Sequence, residues 1–445
     1  MNTSRNDPMH LAAFALAGPV SGCHGGWRHP AADTDLLSAG YYTRLGQLLE
    51  QGRFDMLFLA DILAIPRRHG NSIDSQVRLG ALGALRLDPM IVLSVVAAAT
   101  RHLGLASTIS TSYFDPYPVA RALASLDHLS AGRAAWNIVT SFQQAEAANF
   151  GLTEQLDRNE RYERAEEFLE VTCKLWDSWD DDALKLDTQT PLFADPAKIR
   201  SINHQGKWFS VQGPLNVSRP PQGRPVFIQA GASGRGRDFA ARWADVIFVT
   251  HSSLESAQAF YKEMKERAVQ HGRDPDSLKI LPGIVPIVAE TEAMALAQED
   301  ILKGLTDPEA GLSTLSYHLD IDLSAFPQDE VLPDMDVPGV QGHYQEVAEL
   351  TRKRGLGLRA LGHHYGIGPL RDFVGDADKV TETMRTWHAA RACDGFMIQV
   401  PYLPGGLENF VRLVVPRLQD QNLFRREYDG ATLRDHLGLA RPERN

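Results

Sequence analysis

The chain has 445 residues, 43% of them hydrophobic and 23% charged, which is enough apolar material for a large buried core. A formal charge of −11 argues against a nucleic-acid backbone or an anionic membrane surface as the main partner, though a local basic pocket could still take an anionic small molecule. The three scattered cysteines (Cys23, Cys173, Cys393) suggest neither a disulfide framework nor a cysteine zinc site. Met1–Pro8 is short and polar, and no apolar run approaches the roughly 20 residues of a membrane span, so a reduced, cytoplasmic protein is expected.

Short apolar runs alternate with longer segments of helical spacing. Leu11–Leu16 reads as a strand and Tyr42–Gln51 as a helix, followed by the strand Met56–Leu59 and the helix Pro89–His102. Leu103–Thr108, Pro118–Leu129, Ala134–Ile138 and Glu160–Trp176 continue the alternation; in the last, Ala165, Phe168, Leu169, Thr172 and Leu175 or Trp176 form an apolar stripe at three- and four-residue spacing. Then come Val226–Gln229, Gly234–Trp243, Val246–Val249, Ser253–Gln270, Ile280–Val285, Phe396–Val400 and Leu407–Gln419. Eight strands alternating with helices predict a (β/α)8 TIM barrel, one domain over 1–445, with a doubly wound open sheet as the alternative. Two stretches interrupt the repeat: Asp180–Arg224, rich in Asp, Pro and Gly, and Thr306–Gly339, with Pro308, Pro327, Pro333 and Pro338. Both read as rim insertions (180–224 and 306–339) with no core of their own.

In such a barrel the C-terminal strand ends face the active site. Here they carry Asp61, Ser107-Thr108, Asn137 with Thr140-Ser141, Gln229 and Gln399. Any one could simply cap the next helix. Together, amides and hydroxyls suit a flat heterocycle with alternating donors and acceptors, such as isoalloxazine. Gly231-Ala232-Ser233-Gly234-Arg235-Gly236, between a strand and a helix, allows backbone N–H groups to approach an anion, or is a tight turn with Ser233 as N-cap. His24 lies in a loop after the first strand with Trp27, Arg28 and His29, where pocket groups are expected. His363-His364 lacks a second ligand cluster, so no metal site is expected. No G-x-S-x-G elbow supports a serine hydrolase.

The block Leu126-Asp127-His128-Leu129-Ser130-Ala131-Gly132-Arg133-Ala134-Ala135-Trp136-Asn137-Ile138-Val139-Thr140-Ser141 resembles the nitrilotriacetate/dibenzothiophene-sulfone monooxygenase branch of the bacterial-luciferase superfamily. Asn159-Glu160-Arg161-Tyr162-Glu163-Arg164, Gly213-Pro214-Leu215-Asn216-Val217, Gln229-Ala230-Gly231-Ala232-Ser233 and Pro401-Tyr402-Leu403-Pro404-Gly405-Gly406-Leu407 resemble it too, so the likeness runs from about His24 to Leu439. Residues 22–30 are similar to the family's G-x-H-x-x-x-W-R-H-P pattern, with one residue fewer between histidine and tryptophan. Ser141 stands where some relatives carry histidine or tyrosine.

The resemblance implies a luciferase-like barrel that binds FMN, uses O₂ as co-substrate, and receives FMNH₂ from a separate NAD(P)H:flavin reductase. A flavin C4a-(hydro)peroxide would oxygenate a small organic substrate: organosulfur, aminopolycarboxylate or aromatic. Carried onto this chain, Asp61, Thr108 and Asn137 would contact the isoalloxazine and ribityl region, and Tyr162, Gly231, Ala232 and Ser233 the ribityl–phosphate end. His24 and Tyr113 are the candidate catalytic groups, and a homodimer or homotetramer is implied. The alternatives are a deazaflavin-dependent dehydrogenase of the same superfamily and a non-catalytic flavin-binding protein.

Overall fold

Eight short runs pair in parallel and close on themselves: β1 (His10–Leu16), β2 (Met56–Ala60), β3 (Gly104–Ser110), β4 (Ala134–Val139), β5 (Val226–Gln229), β6 (Val246–Val249), β7 (Lys279–Ile284) and β8 (Gly395–Ile398). Each strand neighbours the next in sequence, and β8 returns to β1 with Ala12 opposite Met397. The computed structural model describes residues 7–444 apart from 20, 21, 232, 233, 336, 340, 369 and 370. Every expected strand is present, and the open-sheet alternative is excluded by closure.

Side chains alternate along each strand. The inward set (Ala12, Met56, Ala106, Ala135, Val226, Ile228, Val246, Leu281, Met397) packs as one cluster inside the barrel. The outward set meets the surrounding helices: α1 (Ala39–Gln51), α2 (Pro89–Ala99), α3 (Pro116–Leu129), α4 (Arg158–Trp176), α5 (Gly234–Trp243) and α6 (Leu254–Gln270). Trp136, for example, points out of β4 and packs on Phe168 of α4 and on Phe227 of β5. The stripe anticipated on α4 is buried, Ala165, Phe168, Leu169, Thr172 and Leu175 included.

A repeated device closes the floor. Asp55, Asp245 and Asp394 each immediately precede a strand, and each accepts the first amides of the strand before it. Leu11 N reaches Asp55 Oδ2 at 2.7 Å, Phe227 N reaches Asp245 Oδ2 at 2.8 Å, and Ile280 N reaches Asp394 Oδ2 at 2.8 Å. All three carboxylates are buried, and each is matched by a cation: Arg425, Arg434 and Lys265 respectively.

The excursions differ from expectation in one respect. Residues 180–224 form a rim carrying two small antiparallel hairpins, Leu184–Asp187 with Leu192–Ala194 and His204–Gln205 with Ser210–Val211. Between β7 and β8, however, the described residues form five α-helices: α7 (Glu292–Leu305), α8 (Pro308–Leu319), α9 (Gln341–Arg354), α10 (Leu358–Ile367) and α11 (Ala377–Ala389). Contrary to the reading of 306–339 as coreless, Leu312, Leu315, Leu319 and Leu323 share a buried cluster with Val347, Leu358 and Leu361. The proline that suggested a loop starts a helix instead: Pro308 occupies the first turn of α8 after Asp307, whose carboxylate accepts the Glu309 amide at 2.9 Å. The C-terminal helical run, Gly405–Asn409 and Val415–Asp420, passes through a π-turn at Phe410–Val414. Among the described residues no helix is long and apolar enough to cross a membrane.

Candidate active site

The mouth of the barrel rests on three phenylalanines. Phe14 and Phe58 stack with centroids 5.3 Å apart, and Phe248 lies 5.2 Å from Phe14. Across the mouth, Thr108 of β3 and Asn137 of β4 are register partners. The Thr108 hydroxyl donates to the Leu59 carbonyl at 2.8 Å, so it can only accept from Asn137 Nδ2, 2.9 Å away. That fixes the amide and leaves Asn137 Oδ1 buried with no partner among the described residues. Buried polar atoms in native proteins are nearly always satisfied, so such an acceptor marks where a donor on a ligand fits.

Beside this pair lies a cavity of about 270 Å³ running outward to the N-termini of α2 and α3. Its polar edge is Asp61, Thr108, Ser110, Ser141 and Glu146; Met90, Ile109, Phe114, Val119 and Ala122 make it largely apolar elsewhere. Burial pushes the Asp61 carboxyl up to about 7, against the opposing pull of Arg86, with Asp88 and Glu146 adding repulsion. Arg86 is engaged by the carbonyls of Ala60 (2.8 Å) and Leu82. Glu146, on the short helix Gln144–Asn149, is buried; one oxygen accepts the Leu63 amide at 3.0 Å, and burial raises its carboxyl too. Ser141 sits at φ +45°, a left-handed conformation that costs a serine about 1 kcal/mol or more, and its hydroxyl lies 2.9 Å from Ser110 Oγ.

Tyr162 and Gly231 form a second group. Tyr162 is buried on α4, its ring edge-on to Phe239 of α5 at 5.6 Å, and α5 is the helix that the Gly231 loop leads into. A Cβ at Gly231 would collide with Gln229 Oε1 and with the Gly236 carbonyl, so the tight passage needs glycine. Gln229 Oε1 and, beyond β6, His251 Nε2 are further buried atoms without a partner among the described residues. His251 is held neutral, its pKa pushed down to about 4 by burial and by Arg237. Ala232 and Ser233 lie outside the described residues.

Neither candidate catalytic group is among the lining residues of the cavity, although Tyr113 adjoins Phe114, which is. His24 does not line the cavity. It is 8% exposed, Nδ1 donates to the Gly366 carbonyl (3.1 Å), and Nε2 accepts from Thr314 Oγ1 (2.7 Å). Burial lowers its pKa to about 4, so it is neutral and fully engaged in tying the β1 loop to α8 and α10. That arrangement makes it a positioning residue rather than an acid or base with a free ring nitrogen. Tyr113 stacks on Phe150 at 4.7 Å and hydrogen-bonds Gln155, and burial pushes its phenol up to about 12. His363 Nε2 lies 2.9 Å from the Lys303 carbonyl, a structural contact.

Glu146 and His251 are the groups that strand-end reasoning passed over. Glu146 stands on a short helix after β4, and His251 stands two residues past β6, a strand end that was not singled out; an acidic residue in Gln144-Ala145-Glu146-Ala147 looks solvated until the Leu63 amide is seen against it. A helix also covers the mouth. On α8, Ser313 is held by Gln76 (2.9 Å), Ser316 by His69 (3.1 Å), and the Tyr317 carbonyl by Gln143 (2.7 Å).

A closed parallel barrel with uncharged hydrogen-bonding groups at its strand ends, a partly apolar cavity and a covering helix defines an enzyme acting on small molecules in a sheltered site. The chain belongs to the luciferase-like monooxygenase family, whose profile matches residues 20–393. It is similar to dibenzothiophene-sulfone monooxygenase of Rhodococcus erythropolis (strain XP), with 46% identity over 98% of this chain and 97% of the relative. Nitrilotriacetate monooxygenase component A of Aminobacter aminovorans is 43% identical over 95% of each. Among solved structures, riboflavin lyase (RcaE) with modified FMN and riboflavin superposes with a TM-score of 0.89 at 31% identity, covering 97% of this chain and 96% of that one. The protein is a monooxygenase of this family.

Proposed function

We propose that the chain is the oxygenase component of a two-component system, binding FMNH₂ supplied by a separate NAD(P)H:flavin reductase and oxygenating a small organosulfur, aminopolycarboxylate or aromatic substrate. The observation that carries this reading is Asn137 Oδ1, a buried acceptor left open because Thr108 and Leu59 fix the amide. A reduced flavin ring, rich in N–H donors, is a suitable partner. Asp61, Thr108 and Asn137 would hold the ring, and Tyr162, Gly231, Ala232 and Ser233 the ribityl–phosphate end; His251 Nε2 is an addition to that end. When bound, the reduced flavin supplies two electrons to O₂, so that one oxygen atom enters the substrate and the other leaves as water.

The side chains do little acid–base chemistry in this reading. They position the ring, and α8 with its contacts to Gln76, His69 and Gln143 shelters the mouth from water. Tyr113, near the cavity, would touch substrate. The name of one relative, a component A, supports a separate partner, and a solved relative holding modified FMN supports the cofactor. A cytoplasmic homodimer or homotetramer completes the proposal.

The test is reconstitution with FMN, NADH and a generic flavin reductase under ¹⁸O₂, using a panel of sulfones, aminopolycarboxylates and haloaromatics. One labelled oxygen per product is expected, with no NADH oxidation when the reductase is left out. NADH turnover by the chain alone, or product without label, would overturn the reading. Asn137→Leu is expected to weaken FMN binding about tenfold, measured by fluorescence titration.

A further inference from the structure

One cation near the mouth has nothing to pair with. Arg161 is half-buried near the start of α4; its Nε is buried without a hydrogen-bond partner, and it makes no ion pair among the described residues. The acids within its electrostatic reach are committed elsewhere. Asp157 caps α4 through the Asn159 amide (2.8 Å), Glu146 accepts the Leu63 amide (3.0 Å), and Asp320 pairs with Arg68 at 2.9 Å. Arg158, three residues earlier, adds only like charge. A guanidinium partly withdrawn from water here lacks the counter-charge that buried ions normally have.

The register of α4 decides which end of the site this cation faces. Tyr162 turns towards Phe239 of α5, and so towards the Gly231 loop. Arg161 stands about 100° round the helix from it and shares a face with Arg164, three residues on. Arg164 donates to the carbonyls of Thr111 and Phe114, so this face meets the loop after β3, where Tyr113 lies and Phe114 reaches the cavity wall. Tyr113, Glu146 and Asp320, which all feel the charge of Arg161, come from that loop, the Gln144–Asn149 helix and the end of α8. Arg161 is therefore on the cavity side of the mouth, away from the end proposed for the flavin phosphate.

The cavity itself offers the reverse. Its charged lining residues are Asp61, Asp88 and Glu146, and Met90, Ile109, Phe114, Val119 and Ala122 make it largely apolar. No lysine, arginine or histidine lines it, so a second anionic group carried inside would be buried without a partner.

We propose that Arg161 is a specificity-determining contact that receives a single oxyanion of the substrate, a carboxylate or sulfonate, while the apolar body of the same molecule occupies the cavity. The substrate is then an organic monoanion. This rests on the flavin monooxygenase reading and narrows its substrate class. A guanidinium suits the task, because its planar fork can meet two oxygens of one oxyanion at once.

The experiment uses the full chain loaded with FMN and three acid–amide pairs of one shape each: benzoate and benzamide, 1-naphthoate and 1-naphthamide, biphenyl-2-carboxylate and its amide. Biphenyl-2,2′-dicarboxylate is added as a dianion. Binding is read by calorimetry, and FMN and riboflavin affinities by fluorescence titration. At least one acid is expected to bind about tenfold or more tightly than its amide, and more tightly than the dianion. Arg161→Met should abolish the preference for the acid while amide and FMN affinities stay within about threefold of the parent, and Arg161→Lys should restore part of it. The proposal is overturned if no acid outbinds its amide, if the preference survives in Arg161→Met, or if the dianion binds as well as the best acid. It is also overturned if Arg161→Met weakens FMN but not riboflavin, since the anion held would then be the flavin phosphate. Failure of the parent chain to bind FMN would instead defeat the flavin reading itself.

Discussion

Two ionisable side chains, the half-buried Asp61 and the buried His24, respond to pH in opposite senses, and the difference separates their roles. Asp61 is raised from the ordinary carboxylate range to about 7, chiefly by burial. Its folded pKa lies above its unfolded value, so its favourable contribution is complete below about pH 4 and is lost as pH rises towards 7. The raised value already contains the pull of Arg86, so the ionised form is a net cost. Asp61→Asn is therefore expected to raise the apo-protein Tm by roughly 1–3 °C at pH 8 and to give no gain at pH 4, checked by calorimetry at both. His24 runs the other way. Its pKa is lowered to about 4, so its contribution is present above about pH 6.5 and is lost as pH falls through 4. His24→Gln should lower Tm at pH 8 through loss of the Gly366 and Thr314 hydrogen bonds, with the deficit narrowing by pH 4.5. A deficit that widened on acidification would mean that His24 is charged in the folded protein.

At the scale of elements, α8 is where a rule based on periodicity fails and tertiary packing takes over. Its polar side chains Ser313, Thr314 and Ser316 are buried, each satisfied by a residue distant in sequence: Gln76, His24 and His69. Read along the sequence, those serines and threonines look like a solvent face, and Pro308 looks like a breaker. The close crossing of α8 with α10 depends on glycine, since a Cβ on Gly311 would stand on the Gly362 carbonyl. Gly311→Ala is expected to force the helices apart at a cost of about 1–3 kcal/mol. Because α8 covers the mouth, the same variant should divert reduced flavin to hydrogen peroxide, measured as peroxide formed per NADH consumed; unchanged coupling would show that α8 does not shelter the site. The barrel strands, by contrast, were legible because each is a short apolar run bounded by polar residues, and β5 and β6 match the expected limits residue for residue. Thr108 and Asn137 were legible as polar ends of such runs. Glu146 was not, because its burial is decided by the Leu63 amide, 83 positions away, and His24 was placed near chemistry only because a glycine-rich loop after β1 could not reveal that α8 and α10 would claim both its ring nitrogens.

For the whole molecule, the barrel depends on its last residues as much as on its strands. Leu433, Leu437 and Leu439 join the inner cluster from below, and Met9 N bonds the Leu423 carbonyl at 2.7 Å, so the C-terminal segment plugs the end opposite the candidate site. Arg434 holds that plug. Its guanidinium lies 2.9 Å from Asp245 Oδ2 and reaches the Pro225 carbonyl at 3.2 Å, while Asp245 also accepts the Phe227 amide that opens β5. Burial would raise the Asp245 carboxyl, but Arg434 and Arg224 outweigh it and hold the group below its ordinary range. A buried pair of this kind is costly to break from one side, because the survivor is left charged without a partner. Asp245→Ala is expected to cost about 3–5 kcal/mol in urea unfolding at pH 7. Adding Arg434→Met should recover a substantial part of that loss, since the uncompensated cation disappears and an apolar side chain of similar length takes its place beside Leu433. The recovery will be incomplete, because the Phe227 amide stays without its acceptor. A double variant no more stable than Asp245→Ala would show that the cost lies in capping β5 rather than in the ion pair. FMN affinity, measured under conditions where both variants remain folded, should match the parent, because the plug and the candidate site lie at opposite ends of one barrel.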